Sequence, residues 1–458
     1  MTDNIYDVAI IGAGPAGYEA AFLAKSYGNR VALIEKDSLG GTCLNRGCIP
    51  TKAIMKSSHL YRECNSANVF GIEPDNTTAN FDKIVERKNH VVSTLQNGIL
   101  SLIKKRKIDL FEGTAKVISS GKIKISTNDS ETVIDCKNIL IATGSSPFVP
   151  PIPGADSDGV LTSDDLLKEG IIPMKNFTII GGGAIGVEFA TIYNDLGVNV
   201  TLIEAMDRLI PTMDKELGQS LKLNLKKRGI DVKTGVLVKE INSEAGGLLC
   251  TFEEKGVRSH IKADKILICT GRKPNTNNLF PEELSSKILD KRGFLIVNEN
   301  YETEITGIYG AGDVTGGILL AHAGSAEARN AISVINGKKP GIDMHTVPGC
   351  IYSNPEIASV GLSEKEAKDA GISVITKKFP MSANGRTLID DLDRGFIKIT
   401  ARESDKVIIG AVLMCGRATD IVSELALAIS NKLTIDDIAK TIHPHPTFSE
   451  AIWEAAKN

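Results

Sequence analysis

The sequence of 458 residues lacks the features that would place it in a membrane or on a nucleic acid. It contains no run of about 20 uninterrupted apolar residues, which a membrane-spanning helix requires, so we expect no membrane partner. Its 53 Lys and Arg residues nearly balance 56 Asp and Glu residues, for a net charge of −3. The short basic run Lys104–Lys107 is typical of the solvated end of a helix, and we expect no nucleic-acid partner.

Signals of export and of a disulfide scaffold are also missing. The N-terminus has no basic segment followed by a long apolar stretch, so we predict no signal peptide. Eight cysteines are too few for a disulfide-stabilised scaffold, and we expect a cytoplasmic location. Six cysteines show no metal-ligand spacing and are interpreted as small, mostly buried hydrophobic residues, with no metal site: Cys64, Cys136, Cys250, Cys269, Cys350 and Cys415.

The sequence does contain an internal repeat. The segments Tyr6–Lys36 and Phe177–Ala205 share an apolar strand, a Gly-x-Gly-x-x-Gly turn, an Ala-rich helix and a second strand that ends in glutamate. The equivalent residues lie 169 positions apart: Gly12 and Gly181, Gly14 and Gly183, Gly17 and Gly186, Glu35 and Glu204. This full strand–turn–helix context is typical of dinucleotide-binding folds, of which the sequence predicts two.

Each glycine of the motif has a physical role. The first permits a tight turn, the second lets the backbone approach a pyrophosphate, and the third lets helix and strand pack closely. The helix N-terminus attracts the phosphates. The alternative is a pair of parallel-sheet units whose glycines serve packing alone. The carboxylate of Glu204 would repel a 2′-phosphate and favours NAD over NADP, although Arg208 nearby argues the other way.

Two cysteines, Cys43 and Cys48, follow directly after the first dinucleotide unit and are separated by four residues. A dithiol in this place can pass two electrons to a bound redox cofactor, which indicates a reaction rather than a structural link. At the start of a helix both sulfurs would gain thiolate character from the helix dipole.

Two further segments carry candidate chemistry. Asp313 ends a Gly-Ala-Gly-Asp turn, where it either caps the next helix or bonds a cofactor hydroxyl; the two nucleotide folds favour the second role. Near the C-terminus, prolines flank His445 and restrict its backbone, and Glu450 follows five residues later. The two form either a general base with its orienting carboxylate or a structural loop before a helix, and the segment alone leaves both open.

Five segments, in this order, resemble the signature motifs of the pyridine nucleotide–disulfide oxidoreductases: GAGPAG, GGTCLNRGCIPTK, GGGAIGVEFA, GAGD and HPHPTFSE. The resemblance covers nearly the full chain and is closest to the branch that oxidises dihydrolipoyl groups. It implies an α/β fold with two Rossmann-like dinucleotide-binding domains, for FAD and NAD, and a C-terminal α/β dimerisation domain. The predicted domains are 1–145 for the first part of the FAD domain, 146–271 for NAD, 272–340 for the second, central part of the FAD domain, and 341–458 for dimerisation.

The resemblance also implies roles for single residues. Cys43 would exchange electrons with the substrate, and Cys48 would lie against the flavin as the charge-transfer thiolate, the two forming a redox-active disulfide. Lys52 and Glu188 would pair beside the flavin; the alternatives are an exposed helix lysine and a surface acid. In a homodimer, the histidine at position 445 would serve the disulfide of the other subunit as general acid and base, with its tautomer held by the glutamate at position 450.

The cofactor contacts follow in the same way. FAD would be held by Gly12, Gly14, Gly17, Glu35 and Asp313. NAD would be held by Gly181, Gly183, Gly186 and Glu204. Further cofactor contacts are expected at Thr42, Lys52, Thr143, Gly144, Gly271, Ala321 and His322.

The implied function is oxidation of protein-bound dihydrolipoyl groups with NAD, through a Cys43–Cys48 disulfide and FAD. The carrier would be a lipoyl protein of a 2-oxo acid dehydrogenase or glycine cleavage complex. Two alternatives stay open: an NAD(P)H-dependent reductase of another small disulfide, and a non-catalytic flavin-binding redox sensor.

Overall fold

The computed structural model describes residues 5–170, 173–392 and 394–457; residues 1–4, on which the prediction of no signal peptide partly depends, lie outside the described residues. The first part of the chain forms β1 (Tyr6–Ile11), α1 (Pro15–Ser26), β2 (Val31–Glu35), α2 (Gly41–Arg46), α3 (Cys48–Asn65), α4 (Phe81–Lys105), β3 (Asp109–Glu112), β4 (Thr114–Ser119), β5 (Lys122–Ser126), β6 (Glu131–Ile141) and β7 (Ser145–Pro147).

The second part repeats much of this order. It forms β8 (Val160–Thr162), α5 (Ser163–Glu169), β9 (Asn176–Ile180), α6 (Ala184–Asp195), β10 (Asn199–Glu204), α7 (Lys215–Lys227), β11 (Asp231–Thr234), β12 (Val236–Glu244), β13 (Gly247–Glu254), β14 (Val257–Ala263) and β15 (Lys265–Ile268).

The chain then returns to the first unit and continues into the C-terminal one. The returning segment contains β16 (Arg272–Pro274), α8 (Glu282–Ile288), β17 (Ile308–Gly310) and α9 (Ala321–Ile335). The C-terminal unit contains β18 (Gly349–Ile351), β19 (Glu356–Gly361), α10 (Glu364–Asp369), β20 (Val374–Pro380), α11 (Gly385–Ile389), β21 (Phe396–Arg402), β22 (Ile408–Cys415), α12 (Ala418–Ser430), α13 (Ile435–Lys440) and α14 (Glu450–Lys457).

Two parallel sheets carry the repeat. The first has the order β3-β2-β1-β6-β17, and the second has the order β11-β10-β9-β15-β8. Ile10 lies between Leu33 and Leu140 in the first sheet, and its equivalent Ile179 lies between Leu202 and Leu267 in the second. Their burial fits parallel strands that helices cover on both faces. Each sheet also has a three-stranded antiparallel meander beside it, β4-β5-β6 and β12-β13-β14.

The units are joined by a short ribbon and by helix packing. Strands β7 and β16 pair antiparallel where the chain leaves the first unit and returns to it. Helices α3 and α6 pack side by side in parallel. Near their starts, Lys52 forms an ion pair with Glu188. Two turns later, the Nε2 atom of His59 lies 3.4 Å from a carboxylate oxygen of Asp195. The first turn of α3, which begins at Cys48, therefore lies next to the second unit.

The C-terminal unit is a five-stranded antiparallel sheet, β18-β19-β22-β21-β20. Helix α12 packs against β19 and β22, and α14 packs against β20 and β21. The predicted α/β class with two Rossmann-like units and a separate C-terminal α/β unit is thus confirmed, while the exact domain limits stay predictions. No helix within the described ranges is long and apolar enough to cross a bilayer.

Candidate active site

A cavity of about 390 Å³ opens at the carboxyl ends of the strands in the first parallel sheet. Residues just after β1, β2, β3, β6 and β17 line it, together with the first turns of α3, α6 and α9. Its volume is in the range of small-molecule sites, about 300–1,000 Å³. The position at strand carboxyl ends is where open α/β sheets bind ligands.

Most of the predicted site residues of the first unit meet in this cavity. Its lining includes Gly12, Gly14, Glu35, Thr42, Cys43, Cys48, Lys52, Thr143, Gly144, Glu188, Asp313 and Ala321. The lining does not include His322, which is exposed and has its Nε2 atom 2.7 Å from the carbonyl oxygen of Pro348. Nor does it include Gly271, whose carbonyl accepts a hydrogen bond from the backbone N–H of Phe148.

In the first unit, packing contacts explain two of the three motif glycines. Gly12 has φ +102°, and a Cβ atom there would lie 2.3 Å from the carbonyl oxygen of Ala142. A Cβ atom on Gly17 would lie 1.8 Å from the oxygen of Gly12. Around Gly14 the nearest atom would be 3.8 Å away, so no packing contact demands glycine there. The open space at Gly14 fits the close approach of a pyrophosphate.

The second unit repeats this geometry. Cβ atoms on Gly181 and Gly186 would lie 2.5 Å and 1.9 Å from backbone oxygens, while nothing lies within 4 Å of one on Gly183. Helices α1 and α6 both begin without a side-chain cap, so their first N–H groups are available to a phosphate. A packing role alone does not explain the middle glycines, and both motifs fit a dinucleotide.

The two glutamates at the strand ends also match. The carboxylate of Glu35 accepts hydrogen bonds from the backbone N–H groups of Ala13, at 2.7 Å, and Asp37, at 2.9 Å. The carboxylate of Glu204 accepts them from the backbone N–H groups of Gly182, at 2.6 Å, and Met206, at 2.7 Å. Each carboxylate has lone pairs left for a ribose hydroxyl.

The two thiols are held by two consecutive helices, the short α2 and the long α3, with a tight turn between them. Cys43 lies in α2 and Cys48 is the first residue of α3. A Cβ atom on the intervening Gly47 would lie 2.9 Å from the oxygen of Thr42, so a larger residue would push the helices apart. The turn keeps the two sulfurs within reach of one another.

The two thiols differ in acidity. A hydrogen bond from Cys43 and, to a smaller extent, the ammonium of Lys52 together lower the pKa of Cys48 to about 7 against the effect of burial. The same hydrogen bond, together with burial, raises the pKa of Cys43. Cys48 is therefore the thiolate of the reduced pair, and Cys43 keeps its proton.

Lys52 and Glu188 form an ion pair at the cavity wall. The ammonium of Lys52 donates to the carboxylate of Glu188 at 2.7 Å and lies 4.6 Å from the ring centre of Tyr352. The backbone N–H of Tyr352 donates to the other oxygen of Glu188 at 3.2 Å. Burial opposes the charge on Lys52, but Glu188 raises its pKa. Neither residue is the exposed surface residue of the alternative interpretation.

Asp313 does not cap a helix but belongs to a polar cluster. Its carboxylate accepts a hydrogen bond from the hydroxyl of Ser145, and the Nε atom of Arg272 lies 3.6 Å away. Arg272 also donates to Ser145 at 2.6 Å. The motifs did not identify Ser145 or Arg272, although each follows one of the two similar Thr-Gly strand ends.

An unpaired polar atom supports the fit of FAD to this cavity. The hydroxyl oxygen of Thr143 is buried and has no hydrogen-bond partner among the described residues. Thr143 lines the cavity just after β6, and its Cα atom would lie 3.2 Å from a Cβ atom on Gly12, the first glycine of the turn. A ligand in the cavity would satisfy a group that otherwise carries a desolvation penalty of about 1–3 kcal/mol.

His445 lies away from the cavity lining. Its imidazole is 79% exposed, and its Nδ1 atom lies 2.8 Å from a carboxylate oxygen of Glu450. The other oxygen of Glu450 accepts from the backbone N–H of Thr447 at 2.8 Å. Burial raises the pKa of Glu450, but the hydrogen bonds from the Thr447 N–H and from His445 outweigh it and lower the pKa. An ionised Glu450 holds the proton on Nδ1 and leaves Nε2 free to accept one.

Of the six other cysteines, Cys136, Cys250 and Cys415 are buried, and Cys64 and Cys269 are partly buried. The sixth, Cys350, lines the cavity, and burial raises its pKa to about 11. Its position there was not predicted, because no local motif surrounds it. Across the described ranges no group of three or more His, Cys, Asp or Glu residues could hold a metal ion.

Comparisons with known proteins agree with this geometry. Residues 6–328 match the sequence model of the pyridine nucleotide-disulphide oxidoreductases, and residues 347–456 match the dimerisation domain of that family. The chain is 39% identical over 452 residues to a dihydrolipoyl dehydrogenase of Geobacillus stearothermophilus, covering 98% of this chain and 95% of that protein. It is 40% identical over 465 residues to one of Bacillus subtilis (strain 168), covering 98% and 97%.

Solved structures are similar over the whole chain as well. The structure of LpdA from Mycobacterium tuberculosis superposes with a TM-score of 0.90 at 28% identity and covers 98% of both chains. The HOCl-induced flavoprotein disulfide reductase RclA from Escherichia coli superposes with a TM-score of 0.86 at 27% identity and covers 99% of both. The chain belongs to the pyridine nucleotide–disulphide oxidoreductase family and is a flavoprotein disulfide oxidoreductase that uses FAD and NAD.

Proposed function

We propose that this enzyme oxidises dihydrolipoyl groups carried by a separate protein and passes the electrons to NAD. The observation that carries the proposal is the presence of two thiols, Cys43 and Cys48, in one cavity with a dinucleotide-binding turn. FAD, when bound, supplies a ring that accepts an electron pair from the dithiol and delivers a hydride to NAD. The protein residues supply the sulfur chemistry and the proton transfers.

The first step is thiol–disulfide exchange at Cys43. A dihydrolipoyl thiolate attacks the sulfur of Cys43 in the oxidised enzyme, and the Cys43–Cys48 bond breaks. Cys48 leaves as the thiolate, and a leaving thiol of low pKa departs faster. The second dihydrolipoyl thiol then displaces Cys43 and closes the lipoyl disulfide. One dithiol is oxidised, and the enzyme disulfide is reduced by the same two electrons.

His445 is the group we assign to proton transfer. The Nε2 atom takes the proton from the dihydrolipoyl thiol, while Nδ1 donates to Glu450, which orients the ring and stabilises its positive charge. Because His445 is exposed and lies outside the lining of its own chain's cavity, we propose a homodimer in which it serves the other subunit. The match of residues 347–456 to the family's dimerisation domain supports this arrangement.

Lys52 and Glu188 set the charge around Cys48. The ammonium stabilises the thiolate, and the carboxylate limits that effect by partly neutralising Lys52. We assign both to the electrostatics of the redox pair rather than to bond making.

Glu204 supports NAD as the electron acceptor, since its carboxylate would repel a 2′-phosphate. Arg208 is engaged away from a 2′-phosphate. Its guanidinium donates to the carbonyl of Pro211 at 2.9 Å and lies 4.0 Å from the carboxylate of Asp207.

The carrier, by this proposal, is a lipoyl protein of a 2-oxo acid dehydrogenase or glycine cleavage complex, and the enzyme is cytoplasmic. A steady-state assay with dihydrolipoamide and NAD tests it, and we expect NADH formation that NADP does not support. NADPH-driven reduction of another small disulfide, without dihydrolipoamide turnover, would favour the first alternative. Absence of any turnover from the FAD-loaded dimer would favour the redox sensor.

A further inference from the structure

The histidine beside the proposed base is held very differently from it. The side chain of His443 is 5% exposed, against 79% for His445. The Nδ1 atom of His443 lies 3.0 Å from the carbonyl oxygen of Thr441, and its Nε2 atom lies 2.9 Å from a carboxylate oxygen of Glu424. Both ring nitrogens thus face an oxygen at hydrogen-bond distance.

These two contacts determine the proton count. A neutral imidazole has one N–H donor and one acceptor nitrogen, and a backbone carbonyl can only accept. An ionised carboxylate can only accept as well, and Glu424 is 30% exposed to water, which favours its ionised form. Two acceptors that face one imidazole are both satisfied only when each ring nitrogen carries a proton. Loss of one would bring the Nε2 lone pair against the carboxylate of Glu424.

The same contacts tie down the loop that carries His445. They connect His443 to the end of α13, through Thr441, and to α12, through Glu424. Further along, the hydroxyl of Thr447 donates to the carbonyl of Pro444 at 2.7 Å, and its own carbonyl accepts from Asn384 at 3.0 Å. The loop backbone is held on both sides of His445, whose side chain projects into solvent.

We propose that His443 is a positioning residue: as an imidazolium bridging Glu424 and the Thr441 carbonyl, it holds the loop that presents His445 to the dihydrolipoyl thiol. This rests on the proposed role of His445 as the base. A displacement of about 1 Å of a reacting group costs up to about 10²-fold in rate, so a loosened loop would be visible in turnover.

The charged groups around His443 come from three elements. Glu424 on α12 is in hydrogen-bond contact with His443, and Glu450 on α14 interacts with it electrostatically. His445 lies two residues along the same loop, and Lys440 at the end of α13 is exposed to solvent. Glu424 is the group in hydrogen-bond contact, so its charge has the largest effect on the extra proton.

A pair of matched variants tests the proposal. Glu424→Gln keeps an oxygen that can accept from Nε2 but removes the charge that retains the proton. Glu454→Gln removes a carboxylate of the same unit that pairs with Lys457 at 3.0 Å. With dihydrolipoamide and NAD, we expect the alkaline decline in turnover to begin at lower pH in Glu424→Gln and not to move in Glu454→Gln. NADH oxidation by ferricyanide, which needs no proton from His445, should be unchanged in both.

A pH profile of Glu424→Gln that superposes on that of the unmodified enzyme would overturn the proposal, since a purely structural contact predicts this result. Neutron diffraction from the unmodified FAD-loaded dimer near pH 7 gives an answer even if the variant does not fold. Deuterium on both nitrogens of His443 supports the imidazolium, and a bare Nε2 overturns it. This readout is independent of the base assignment, which fails separately if His445→Gln retains full dihydrolipoamide turnover.

Discussion

Exchange of Lys52 for methionine should raise the pKa of Cys48, because the ammonium is one of the groups that stabilise the thiolate. The hydrogen bond from Cys43 is the larger cause and stays in place, so we expect only part of the shift to be lost. An opposite charge at short range shifts a pKa by about 1–3 units. We therefore expect a rise of about 1 unit, which lowers the ratio of thiolate to thiol at a given pH about tenfold.

Removal of the charge on Glu188, the ion-pair partner of Lys52, should change the pKa of Cys48 in the opposite direction. The carboxylate of Glu188 raises the pKa of Cys48, so Glu188→Gln should lower it below 7. In Lys52→Met, the uncompensated Glu188 acts in the same direction as the missing ammonium. The Cys48 thiolate is present above its pKa and lost below it. The thiolate should therefore form at higher pH in Lys52→Met and at lower pH in Glu188→Gln.

If the Cys48 thiolate lies beside the flavin, as we propose, the long-wavelength absorbance of the two-electron-reduced, FAD-loaded enzyme measures that thiolate when it is titrated with pH. Lys56→Met is the matched control, because Lys56 lies one turn further along α3 and is exposed. We expect its midpoint to stay near that of the unmodified enzyme. A Lys52→Met midpoint that does not rise, or that rises no more than the Lys56→Met midpoint, would refute the assignment of Lys52.

Three other changes have expected outcomes. Gly17→Ala should lower the melting temperature of the apoprotein, because its Cβ atom would lie 1.8 Å from a backbone oxygen. Gly14→Ala should leave the melting temperature unchanged and weaken FAD binding. Equal melting temperatures of the two variants in differential scanning fluorimetry would contradict this. Glu204→Gln should reduce the preference for NAD over NADP by at least about tenfold, since a like-charge contact costs several kcal/mol. The preference is measured as the ratio of the two kcat/KM values. An unchanged ratio would show that Glu204 does not select the cofactor. His445→Gln should lower dihydrolipoamide turnover by about 10²–10⁴-fold while ferricyanide reduction and FAD content persist; normal turnover would exclude His445 as the base.

The residues that were predictable from the sequence are those whose roles depend on local backbone geometry. The glycine turns, the strand-end glutamates and the two cysteines each lie within one strand–turn–helix segment, so spacing alone identified them. The two parallel sheets followed from the repeat for the same reason. The meanders β4-β5-β6 and β12-β13-β14 were not predicted, because alternating burial is typical of each half-buried strand but does not specify which strands pair.

The remaining contacts depend on how distant segments dock. Ser145 meets Asp313 across 168 residues of chain, and no residue pattern near either one specifies that distance. The ion pair of Lys52 with Glu188 spans 136 residues and forms only because α3 and α6 pack in parallel. Family resemblance suggested this pair, whereas the contribution of Tyr352 to it was visible only in the structure.

We propose that the thiolate of Cys48 would contact the flavin ring of bound FAD and pass electrons to it. An anaerobic titration of the FAD-loaded dimer with dihydrolipoamide, followed by visible absorbance, tests this most directly. We expect a new long-wavelength band that is complete at about one equivalent and is abolished by Cys48→Ser. Bleaching of the flavin without that band, or a band that survives Cys48→Ser, would contradict it.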